Sequence, residues 1–173
     1  MSLKTVQVII NGVSTTLNLN SQTGKYEATV TAPNTSSFNQ PNEYYNVTVK
    51  ATDNANNITT VDADDPTLGT KLRLVVKERT APVITPTYPS ASATLINNKP
   101  TITWKVTDAD SGVNPDSISI IIDSGSKITS GITKNKVSGG YECSYTPGTA
   151  LNDGSHTIKF DASDNDGNAA VQK

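Results

Sequence analysis

The sequence predicts an all-β chain of two tandem antiparallel β-sandwiches, the first truncated at its N-terminus. Three observations predict it. Apolar residues fall in short alternating runs, turn formers separate those runs, and the chain repeats itself. Only 34% of the 173 residues are hydrophobic, while Ser, Thr and Asn together number 59. Alternation lets so polar a chain build a core, because each strand buries one face and wets the other. No window carries an apolar i, i+3, i+4, i+7 stripe, so no helix is expected.

The elements follow in order. Val6-Gln7-Val8-Ile9-Ile10-Asn11 reads as a strand ending at the Asn11-Gly12 turn. Tyr26, Ala28 and Val30 share a face of the next, and Val47 to Asp53 forms another. Leu72-Arg73-Leu74-Val75-Val76 is strand-like and precedes a short linker, Lys77 to Pro82, stiffened by Pro82, Pro86 and Pro89. In Pro100 to Val106, Ile102, Trp104 and Val106 face one way while Thr103 and Lys105 face the other. Ile118 to Ile122 and Tyr141, Cys143 and Tyr145 continue the pattern. Ser124-Gly125, Gly139-Gly140 and Asn152-Asp153-Gly154 supply the turns between strands.

The repeat is the strongest signal. Val6 to Asn11 matches Ile118 to Asp123 at an offset of 112, and Gly24 to Glu27 matches Gly139 to Glu142 at 115. Val47 to Asn54 matches Ile158 to Asn165 at 111. Three matches in one order at nearly one spacing indicate a duplicated module. Modules of 1–79 and 80–173 follow. The first lacks the strands that precede Ile118 in the second. The second lacks a counterpart of Leu72 to Val76. A natural protein longer at both ends is expected.

The formal charge is −2, and Arg occurs only at Arg73 and Arg79, so no basic face offers itself to nucleic acid. The longest apolar stretches fall far short of the ~20 residues that span a bilayer, so no membrane insertion is expected. No secretory signal is read, because Met1-Ser2-Leu3 looks like a cloning leader that says nothing about location. The single cysteine, Cys143, excludes an internal disulfide framework. This fits an exported bacterial or phage product.

The junction Thr80-Ala81-Pro82-Val83-Ile84 resembles the start of bacterial immunoglobulin-like repeats. So do Asp110-Ser111-Gly112-Val113-Asn114-Pro115, Asp153-Gly154-Ser155-His156-Thr157 and Asp164-Asn165-Asp166-Gly167-Asn168. The last recurs as Asp53-Asn54-Ala55-Asn56-Asn57, where Asn56 replaces the glycine and puts the turn geometry in question. The resemblance implies two tandem immunoglobulin-like modules of a bacterial cell-surface protein, a secreted glycan-degrading enzyme or a phage tail. Neighbouring modules of the same chain are the implied partners, with a host-cell or glycan ligand beside them. The implied location is extracellular or on the virion.

Candidate sites divide into catalytic, metal-binding and aromatic. His156 lacks a triad around it, and no Gly-x-Ser-x-Gly elbow or phosphate loop occurs. Cys143 alternates onto the core face, so no enzyme is expected. Asp108, Asp110 and Asp116 follow the Trp104 strand, and Asp161, Asp164 and Asp166 lie at and beyond the penultimate one. In an immunoglobulin-like sandwich these loops share one end, where the incoming chain brings Glu78. Glu78, Asp108, Asp110, Asp164 and Asp166 are therefore candidate Ca²⁺ ligands at the module junction. The competing reading gives the same residues to Asx-turns that close on their own backbone. Trp104 is placed in the core. One of Tyr44 and Tyr45 must face outward, where a ligand could reach it. The expected function is a non-catalytic structural or adhesive spacer, the alternative a carbohydrate-binding accessory module.

Overall fold

Val6, Val8 and Ile10 are buried along one face of β1 (Leu3–Ile10), the central strand of its sheet. The computed structural model describes residues 3–173, so Met1 and Ser2, read above as part of a leader, lie outside the described residues. The chain divides into two compact units, Met1–Lys77 and Glu78–Lys173.

In the first unit β1 turns into β2 (Val13–Asn20) through Asn11 and Gly12, at φ 48° and 78°. Two successive positive φ values match the twist of a tight hairpin, and Asn-Gly adopts them cheaply. β3 (Lys25–Glu27) adds to β2, while β4 (Tyr45–Asp53) pairs with the other edge of β1. β5 (Ile58–Val61) and β6 (Arg73–Leu74) both pair with β4. Val8, Ile10 and Tyr45 form a small core with Leu17, Val47, Leu74 and Val76 against them.

β2 and β4 take both edges of β1. Two expectations are corrected here. The Tyr26–Ala28–Val30 strand stops at Glu27, where its ladder with β2 ends, and Val30 is exposed. Leu72 to Val76 pairs only through Arg73 and Leu74. Val76 turns instead to Ser37, accepting from its N–H at 2.8 Å and donating to its Oγ at 3.2 Å.

The second unit is a two-sheet sandwich. β7 (Val83–Tyr88), β8 (Ile102–Thr107), β10 (Thr133–Val137) and β11 (Gly140–Tyr145) form one sheet in the order β10-β11-β8-β7. β9 (Ser119–Ile122) and β12 (Ile158–Asp161) form the other. Residues 169–173 run beside β12, with Ala170 N–H donating to Ala162 O and Phe160 N–H to Lys173 O, each at 2.8 Å. This is the A-B-E-D and C-F arrangement of an immunoglobulin sandwich. Ile84, Ile102, Trp104, Val106, Ile118, Ile120, Cys143 and Phe160 fill the space between the sheets. Each buried branched or aromatic side chain contributes about 1.5–3 kcal/mol by leaving water.

The residues matched in the sequence repeat also share a pairing register. Val8 faces Val49 across β1 and β4, and Ile10 faces Val47. At the matched positions Ile120 faces Phe160 and Ile122 faces Ile158 across β9 and β12. Residues 169–173 correspond to β5: Thr59 faces Ala51 as Ala170 meets Ala162. β7 and β8 have no counterpart among the described residues of the first unit.

Candidate functional site

The loop after β8 and the loop after β12 meet at one end of the second unit. Asn165 stitches them, its N–H donating to Gly112 O and its Nδ2 to Ser111 O and Gly112 O at 2.9–3.0 Å. Asn114 N–H donates to Ser163 O at 3.0 Å, and the Ser117 hydroxyl bonds both Asn114 O and Ser163 O.

Each buried aspartate closes its own loop. Asp108 Oδ1 accepts from the N–H groups of Asp110 and Gly112 at 3.1 and 2.8 Å. Asp164 Oδ1 accepts from Asn168 N–H and its Oδ2 from Asn168 Nδ2, both at 2.7 Å. Short charge-assisted bonds of this kind hold an otherwise irregular loop in one conformation.

Glu78 ties the incoming chain to both loops. Its N–H donates to Asp166 Oδ2 at 2.9 Å, and its carbonyl accepts from Asn168 Nδ2 at 3.2 Å. Its Oε1 accepts from Ser111 N–H at 2.6 Å. One carboxylate oxygen each from Glu78, Asp108 and Asp164 lies within 4.8 Å of the others. Of the five residues singled out as cation ligands, these three come together. Asp166 stands beside them through the Glu78 N–H, and Asp110 offers Asp108 its backbone N–H. Asp161 instead pairs with Lys127 at 3.3 Å, and Asp116 N–H caps onto Asn114. No lysine, arginine or histidine forms an ion pair with Glu78, Asp108 or Asp164 among the described residues.

Two polar atoms at this end stand out. Asp108 Oδ2 and Ser111 Oγ are buried without any hydrogen-bond partner, in residues that are 9% and 1% exposed. Sequence reasoning found Asp108 but missed Ser111 and Asn168. Asn168 was visible as the fourth residue after Asp164, just as Asn57 follows Asp53.

The residues a nucleophilic site would need are spent on structure. Cys143 faces Trp104 across the β8–β11 ladder, and burial pushes its thiol up to about 11. Such a thiol is protonated at neutral pH and is no nucleophile. His156 Nδ1 meets Asp123 Oδ2 and its Nε2 meets Asn152 O, each at 2.8 Å. Trp104 is buried and lies 4.8 Å from Phe160, ring centre to ring centre. Tyr45 is buried with its hydroxyl on Thr35 Oγ1 at 2.7 Å. Tyr44 is the outward one of the pair, and the Arg73 guanidinium covers its ring at 4.9 Å. Tyr44 also lines a groove of the first unit with Gln40, Asn42, Asn46 and Asp64. No helix among the described residues is long and apolar enough to cross a membrane.

No curated protein matches this chain. Residues 82–160 match the family model described as a bacterial Ig domain. That stretch spans β7 to β11 and most of β12, the strands of the sandwich just described. The second unit therefore carries a bacterial immunoglobulin-like module.

Proposed function

We propose that the chain is a non-catalytic structural spacer in a longer bacterial extracellular or phage-tail protein, carrying a more distal domain outward. The reading holds the first unit to be a second module of the same kind. The observation that carries it is the use made of the reactive residues. Cys143 is core, His156 bridges Asp123 to Asn152, and the aspartates of the loops close turns. A module that spends its chemistry on rigidity suits a tether, and bacterial Ig domains recur in such proteins. Antibodies against residues 82–160 test this on intact cells and on phage particles. Labelling of either surface before lysis supports the reading and separates its two arms. Labelling only after lysis contradicts both.

A second reading, a carbohydrate-binding accessory module, rests on the Tyr44 groove with its Gln40, Asn42, Asn46 and Asp64 lining. An aromatic face flanked by amides suits a sugar ring, although Arg73 already stacks on that face. Glycan-array binding that Tyr44→Ala abolishes would place this reading first.

A further inference from the structure

We propose that Glu78, Asp108 and Asp164 bind one Ca²⁺ ion in the second unit. This goes beyond the spacer reading and does not depend on it. The donors are all oxygens, which a hard cation prefers over zinc or copper. One oxygen of each residue lies within 4.8 Å of the others, no more than twice the usual Ca²⁺–oxygen distance of about 2.4 Å. Mg²⁺ demands shorter bonds and usually keeps several waters, binding through one or two carboxylates rather than three.

Convergence of acids alone would not carry this. The independent observation is the pair of orphaned atoms. Asp108 Oδ2 is a buried carboxylate oxygen with no donor, while its sister Oδ1 is held by two backbone N–H groups. Ser111, whose N–H fixes Glu78 Oε1, keeps its own hydroxyl buried and unpartnered. Buried polar atoms are normally satisfied, and an orphaned carboxylate oxygen on one of three converging acids is what a cation resolves. The remaining bonds preorganise the site, since Ser111, Gly112 and Asn168 each hold one carboxylate in place. The first unit supplies the contrast. Asp53 makes the same turn as Asp164, yet belongs to no such carboxylate group among the described residues.

Calcium chloride titrated calorimetrically into the chelator-treated chain tests the site. A single binding event is expected, with Tm rising by roughly 5 °C or more at tenfold excess over Kd. Asp108→Asn keeps an oxygen for both backbone donors and removes only the charge, so it should weaken binding at least tenfold in a folded protein. Glu78→Gln, which likewise keeps its acceptor, should do the same. Absence of binding heat with superimposable melting curves at millimolar Ca²⁺ would overturn the proposal. So would a calcium response undiminished in both variants. The surface-labelling result stands apart from either outcome.

Discussion

Asp53 and Asp164 close the same turn at equivalent positions of the two units. Asp53 accepts from Asn57 N–H and Asn57 Nδ2, both at 2.9 Å, and returns its own N–H to Asn57 O at 3.0 Å. Asp164 makes the same three bonds with Asn168 at 2.7, 2.7 and 3.1 Å. Within the turn Asn56 sits at φ 64° where Gly167 sits at 94°. The missing glycine therefore leaves the turn intact, because asparagine tolerates the left-handed region better than other side chains.

Substitutions at Gly167 should follow that ranking. Gly167→Asn is expected to cost less than about 1 kcal/mol, and Gly167→Val about 2 kcal/mol or more, since a β-branched residue at positive φ is strained. Urea denaturation of the two variants measures the difference, and equal costs would contradict it.

The sequence made legible whatever was buried on one face. Ile102, Trp104 and Val106 alternate into the core as their spacing implies, and the repeat offsets carry over into strand register. β2 and β10 were illegible for the opposite reason. In Val13–Asn20 only Leu17 packs on the core while Val13 and Leu19 stay exposed, and Thr133–Val137 is polar but for Val137, so neither run carries a strong buried-face signal. The convergence of the acidic loops followed from the fold class. Their hydrogen bonds did not, because one carboxylate in a loop serves a turn or a cation equally well. The Asp123–His156 pair, far apart in sequence, left no local signal.

Acid should destabilise the first unit. The Asn57 side chain, then its backbone N–H, holds the Asp53 carboxyl below its usual value. Asn20 and Thr23 do the same for Glu27, and the Leu68 and Thr67 N–H groups for Asp65. A lowered folded-state value means stability present above the unfolded value and lost as pH falls through the folded one. Melting by circular dichroism should therefore show Tm dropping below about pH 4, where carboxyls begin to protonate. A Tm unchanged down to pH 2.5 or so would contradict this.

His156 should titrate above its ordinary value. The Asn152 carbonyl raises it most, the Asp123 carboxylate next, and only the imidazolium can donate to both at once. Its contribution is full below about pH 6.5 and is lost as pH rises through the raised value. An NMR titration of the ring protons reads this directly. Asp123→Asn should lower the midpoint only in part, since the carbonyl remains. A wild-type midpoint at or below the free-histidine value would refute the pairing.

The Cys143 thiol, raised to about 11 by burial, should resist thiol reagents at pH 8 in the folded chain and react once urea unfolds it. Rapid labelling of the native protein would mean that β11 opens readily.

That the acidic residues at this end of the second unit serve first to hold the fold is tested most directly at Asp164. Trp104 is the chain's one tryptophan and lies in the core of that unit, so its fluorescence reports unfolding there alone. In chelator, urea denaturation of Asp164→Ala followed by this emission should show a loss of about 1–3 kcal/mol, the cost of leaving the half-buried Asn168 donors without their acceptor. An unchanged midpoint would contradict the account, leaving the Asp164 carboxylate with no part in holding the loop.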